Sequence, residues 1–178
     1  MLKPAPPKLN YGVQRDQQLV FAYGSNMNFQ DLARWLDEQN YGGGMPTLSG
    51  VACLEHHRLA WNYWSATRGG GAANVIPSDR HQVWGVLLSV DQTLLDLIDL
   101  KEGHPIRYSR GHTRRQLYSS PDGQPISAWV YSVTPEFTRD AICLPTAEYL
   151  ELMLSAAIEL NLPDAYRAML SRQSYRPG

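Results

Sequence analysis

The sequence predicts a single α+β domain with a small, mostly antiparallel sheet that is curled or closed on itself and flanked by helices. Three observations predict it. Strand-type runs outnumber helical ones through the middle of the chain, and their turns are short, which favours antiparallel pairing. One helical stretch comes early, directly after the first strand, and forces some mixing of the pairing order. A length of 178 residues with 43% hydrophobic and 19% charged residues suits one globular core.

Taken in order, residues 1–17 are rich in proline and polar groups and read as a leader. QLVFAY at 18–23 is a first, buried strand. Asn28 can cap a helix over 29–39 that places Phe29, Leu32, Trp35 and Leu36 on one face. YGGGMP at 41–46 stops it. Strand-type residues with partial alternation fill 49–64, and RGGG at 68–71 breaks the chain. AANVIP at 72–77 is a short strand, Ser78 and Asp79 turn it, and HQVWGVLLSV at 81–90 is a second strand. Asp91 caps a helix that runs to about residue 100. The polar stretch 108–118 reads as an exposed edge strand. PDG at 121–123 turns the chain into a strand over 126–133. The segment 146–172 is helical with a break near Asn161, Leu162 and Pro163. The domain thus spans 18–172, with a tail at 173–178.

A net charge of −1 gives no basic excess of the kind a phosphate backbone attracts, so no nucleic-acid partner is expected. No apolar run approaches the ~20 residues of a membrane span, and the start of the chain lacks the apolar core of a signal peptide. A cytoplasmic location is the expectation. Cys53 and Cys143 are expected as buried thiols. Oligomeric state is not legible.

Three features carry candidate chemistry. In VFAYGSNM, residues 20–27, a glycine at a strand end lets a ligand approach the backbone closely. The N–H groups of Ser25, Asn26 and Met27 lie at or near a helix start, where they suit an anion. The same residues would equally make a capping turn without a ligand. In IDLKEG, residues 98–103, Glu102 and Gly103 close a helix. The negative end of the helix dipole disfavours a charged carboxylate there, which fits a proton shuttle better than a structural acid. A solvated glutamate is the plainer alternative. Asp99, three residues earlier, could share its face. Tyr108 and Tyr131 lie on late strands and read as core or cross-strand partners when taken alone. The five histidines are scattered. Ser25 lacks the second glycine of G-x-S-x-G, and no metal-ligand spacing occurs.

Together, FAYGSNM (21–27), GVACLEHHRLAW (50–61), GGGAANVIPS (69–78), VWGVLLSVDQTLLDLIDLKEG (83–103) and SAWVYSV (127–133) resemble the γ-glutamylcyclotransferase-like family, in that family's order. The C-terminal pattern of a proline-led helix, a Leu-Pro break and a second helix is similar too. The resemblance implies a small mixed β-barrel with helices outside. It implies that Tyr23, Gly24, Ser25, Asn26 and Met27 hold the glutamyl carboxylate, that Glu102 is the acid/base, that Gly103 beside it is a substrate-binding residue, and that Tyr108 and Tyr131 are active-site tyrosines. The implied reaction closes a γ-glutamyl amide to 5-oxoproline and releases an amine, with no metal and no cofactor. A non-catalytic protein binding an acidic metabolite and a Ser25-based amide hydrolase are the alternatives. The identity of the leaving amine stays open, and residues 61–71 are candidates for that half of the pocket.

Overall fold

The first strand, β1 (Gln18–Ala22), becomes progressively buried toward its end, as a run without polar alternation must. The computed structural model describes residues 17–177, so the leader lies outside the described residues except for Gln17. A 3₁₀ turn (Ser25–Met27) and helix α1 (Phe29–Glu38) follow. Then come β2 (Thr47–Ala60), the two-residue strands β3 (Trp64–Ser65) and β4 (Gly70–Gly71), and the long β5 (Asn74–Val90). Helix α2 (Gln92–Glu102) precedes β6 (Tyr108–Ser109), β7 (Arg115–Ser119), β8 (Pro125–Ala128) and β9 (Ser132–Val133). Helices α3 (Ala147–Glu159) and α4 (Asp164–Ser171) end the domain. In the tail, Arg176 forms a parallel bridge with Thr146.

The main sheet runs β1-β5-β2-β7-β8, and all of its ladders are antiparallel. Its two edges meet once. Val20 bridges Trp129 in parallel, with Phe21 N donating to the Trp129 carbonyl and Trp129 N to the Leu19 carbonyl, each at 2.8 Å. The sheet is therefore curled until its edges touch, but it does not close as the barrel that the sequence led us to expect. The contact with β1 comes from Trp129, one residue past the end of β8, and extends to no ladder.

Two other expectations change. Residues 74–90 form one continuous strand and not two. The β2–β5 register passes from Glu55–Gln82 to His57–Pro77, so residues 78–81 face His56 alone and the expected turn survives as a bulge inside the strand. Residues 108–118 are not one edge strand. The chain breaks after Ser109, Gly111 adopts a left-handed φ of 67°, and β7 lies inside the sheet between β2 and β8. β6 instead pairs with β9 in a separate two-stranded ribbon.

The helix starts are capped as the sequence indicates: Asn28 Oδ1 accepts from Asp31 N at 3.0 Å, and Asp91 Oδ1 from Leu94 N at 2.8 Å. Phe21, Leu32, Leu87, Ile98 and Met153 form part of one continuous core between sheet and helices. Cys53 and Cys143 are buried free thiols.

Candidate active site

β1 delivers Tyr23 and Gly24 to a bend that opens on a small cavity of about 50 Å³. The 3₁₀ turn uses the Met27 N–H on the Gly24 carbonyl (3.1 Å) and the Asn28 N–H on that of Ser25 (2.9 Å). The N–H groups of Ser25 and Asn26 donate to no backbone carbonyl among the described residues. The Ser25 N–H lies against the Tyr149 hydroxyl, and donors left free of carbonyls at a turn entering a helix form an anion-binding arrangement.

Helix α2 brings Glu102 to the same cavity. Gly103 stops the helix in the left-handed region at φ 69°, which a glycine adopts without strain. The Asn26 amide Nδ2 donates to Glu102 Oε1 at 2.8 Å, and Lys101 Nζ donates to Asn26 Oδ1 at 2.8 Å. Bend and helix end are thus joined through one side chain. Asp99 does not accompany Glu102 into the cavity. It accepts two bonds from Arg110 (2.8 and 2.9 Å) and one from the Tyr131 hydroxyl. Burial opposes its charged form, but these partners outweigh burial and hold its carboxyl below the usual range.

The cavity wall is tyrosine-rich. Tyr23 donates its hydroxyl to the Tyr131 carbonyl (2.7 Å), and Tyr108 donates to the Ala73 carbonyl (2.8 Å). Tyr149 accepts from the Ala73 N–H at 3.2 Å. Burial, reinforced by the charge of Glu102, pushes Tyr23 and Tyr108 far above an ordinary phenol, so both stay protonated.

Seven of the residues singled out by sequence thus line one cavity: Tyr23, Gly24, Ser25, Asn26, Glu102, Tyr108 and Tyr131. Met27 is in the core, and Gly103 serves as the helix cap. Tyr149, Ala73, Lys101 and Asp31 carry no such signal in the sequence, and Arg68 enters only as part of the segment 61–71. Tyr149 occupies an ordinary apolar position in the first turn of α3, and only tertiary packing brings it 76 residues back to Ala73.

A second cavity of about 220 Å³ adjoins the first and shares Ser25, Glu102, Tyr108 and Tyr149 with it. Tyr63, Ser65, Thr67 and Arg68 contribute to its wall, so the segment 61–71 does border the site. Arg68 is held by Asp31 through two bonds, 3.1 and 2.6 Å, and Arg34 adds a third at 2.5 Å. Burial alone would raise the Asp31 carboxyl, but Arg68, Lys101 and Arg34 outweigh it and hold it low. Among the described residues, no three His, Cys, Asp or Glu side chains come together as a metal-ligand set. No helix there is long and apolar enough to cross a membrane.

Comparison with known proteins identifies the fold and the family. A solved structure named gamma-glutamyl cyclotransferase aligns with a TM-score of 0.78 at 22% identity, over 92% of this chain and 91% of that one. An uncharacterized Homo sapiens protein aligns at 0.77 with 23% identity, covering 91% and 90%. YkqA from Bacillus subtilis aligns at 0.70 with 17% identity, covering 89% of this chain and 54% of its own. At these identities the likeness establishes the shared fold. No curated protein matches the chain. The model of the family described as gamma-glutamyl cyclotransferase, AIG2-like, matches residues 20–151. The chain belongs to that family.

Proposed function

We propose that the protein cyclises a γ-glutamyl amide to 5-oxoproline and releases the amine, with Glu102 as general acid and base. One observation carries this reading: the donor-rich bend at Ser25 and Asn26 and the carboxylate of Glu102 face one cavity and are bonded through the Asn26 side chain. The bend supplies donors for the glutamyl carboxylate. Glu102 takes a proton from the substrate α-amine as its nitrogen attacks the γ-carbonyl carbon. It then gives that proton to the amide nitrogen as the C–N bond breaks. The new C–N bond closes the lactam, and no proton is left over. Holding the glutamyl chain folded is the larger contribution, worth up to ~7–11 kcal/mol in well-oriented intramolecular reactions. Ser25 lines the same cavity, but no histidine does, which leaves a serine nucleophile without its usual base. Buried free thiols and a small polar substrate fit a cytoplasmic enzyme.

The test is a panel of γ-glutamyl amides, scored for 5-oxoproline by mass spectrometry, with wild type and E102Q. Loss of a positioned general base is expected to cost roughly 10²–10⁴-fold. A folded E102Q protein that retains its rate, or release of glutamate in place of 5-oxoproline, overturns the proposal.

A further inference from the structure

A third cavity, of about 750 Å³, shares no residue with the two at the candidate active site. It forms where α4 and the segment holding Ile142 and Leu144 meet the arm of β2 and β5 that carries the bulge. A regular strand turns successive side chains to opposite faces. Where the register skips at 78–81 that alternation is interrupted, and Arg80, His81 and Gln82 border the cavity in succession. The volume falls in the ~300–1,000 Å³ range of small-molecule sites.

Its wall is apolar and rich in rings, with Trp61, Trp84, Tyr166, Ile142, Leu144 and Met169. Ile142 is 77% exposed and Met169 37%, so this surface is left to water, as at a binding patch. The charge around it is one-sided. Arg58 and Arg80 line the cavity, and no aspartate or glutamate does. Neither arginine is in an ion pair among the described residues. Arg58 reaches only the carbonyl of its neighbour Leu59, at 3.4 Å, and His81 is turned to the Ser78 hydroxyl at 2.8 Å. We propose that this cavity is a second binding site, and that its ligand is a small aromatic carboxylate. The indoles of Trp61 and Trp84 receive the ring, and the unmatched guanidinium groups of Arg58 and Arg80 receive the carboxylate. A neutral ligand leaves both arginines without an anion, and a cationic one meets two like charges. The proposal is independent of the cyclotransferase reading.

Calorimetry on the full chain compares 2-naphthoate, its neutral carboxamide and 2-naphthylmethylamine, each with wild type, R58Q/R80Q and R107Q. The expected result is one naphthoate bound per chain with a Kd of about 1 mM or tighter, as suits a ligand of this size. The carboxamide should bind about tenfold or more weakly, as one charge-assisted pair allows, and the amine more weakly again. R58Q/R80Q brings the carboxylate-to-carboxamide ratio close to one. R107Q, which alters the cavity beside Glu102, keeps the wild-type affinity. Should the double variant lose its native circular dichroism, R58Q and R80Q singly carry the comparison, each lowering the ratio. No binding of naphthoate, equal affinity for all three compounds, or a ratio that falls in R107Q and survives in R58Q/R80Q overturns the proposal. A dimer in sedimentation that R58E/R80E splits also overturns it, because a second copy of the chain then covers this face.

Discussion

Asn26 donates its amide to Glu102 across 2.8 Å, although 76 residues separate the two in sequence. The opposite end of the same amide accepts from Lys101, so its orientation is fixed from both sides. A bond to a charged acceptor is worth about 1.5–3 kcal/mol. N26A is therefore expected to reduce kcat/KM roughly 10- to 150-fold while circular dichroism stays native. N26D, which sets a second carboxylate against Glu102, is expected to reduce it further. The 5-oxoproline assay ranks the three proteins.

Asp31 is 3% exposed and holds both Arg68 and Arg34. D31A leaves the Arg68 charge half-buried without its partner. The expected loss lies near the lower end of the ~3–5 kcal/mol seen for broken buried pairs, because Arg68 keeps 21% of its side chain exposed. Urea denaturation measures it. The sign with pH follows from the depressed carboxyl. The contribution is fully present above the unfolded value near about 3.9 and fades as pH falls through the lower folded value. The stability gap between wild type and D31A should thus hold from pH 7 to about 5 and shrink below about 4.

Tyr131 donates to Asp99, and Arg110 completes the donors to that carboxylate while stacking 4.4 Å over the Trp129 ring. Y131F and D99N are each expected to cost about 1–2 kcal/mol. The double variant should fall short of their sum by about 1 kcal/mol, because removing either partner already breaks the shared bond. A double-mutant cycle in urea reads this directly, and additive costs would show the contact to be idle.

Gly85 is packed against the strand that carries the bend. A Cβ there would come within 2.3 Å of the Ala22 carbonyl and 2.8 Å of the Phe21 ring. G85A must push β1 outward, with an expected cost of about 1–3 kcal/mol or more, as for overpacked cores. Activity should fall together with stability, since Tyr23 and Gly24 follow directly. Thermal denaturation and the 5-oxoproline assay check both halves.

The sequence made most of the local structure legible, because caps and stops are written in adjacent residues: Asn28, Asp91 and Gly103 mark helix ends without reference to the rest of the chain. The bulge at 78–81 was hidden, since Ser78 and Asp79 look like any turn until His57 and Pro77 are found to resume pairing. In the site, the bend and Glu102 carried their own signals of glycine, amide and helix-end acid. Tyr149 and Arg68 did not. Each acquires its place from a partner far along the chain, Ala73 and Asp31, and side-chain type alone says nothing of such pairings.

The hydroxyls of Tyr23, Tyr108 and Tyr131 donate to the protein itself, and that of Tyr149 accepts from it. The inner wall accordingly offers a guest flat aromatic faces and few movable polar fingers, and each ring doubles as a bolt between separate strands or helices. Drift in substrate preference has little room there, because altering a ring loosens the scaffold at the same stroke. Room for change lies at the mouth, where Thr67 makes no side-chain bond among the described residues and Leu100 stands exposed.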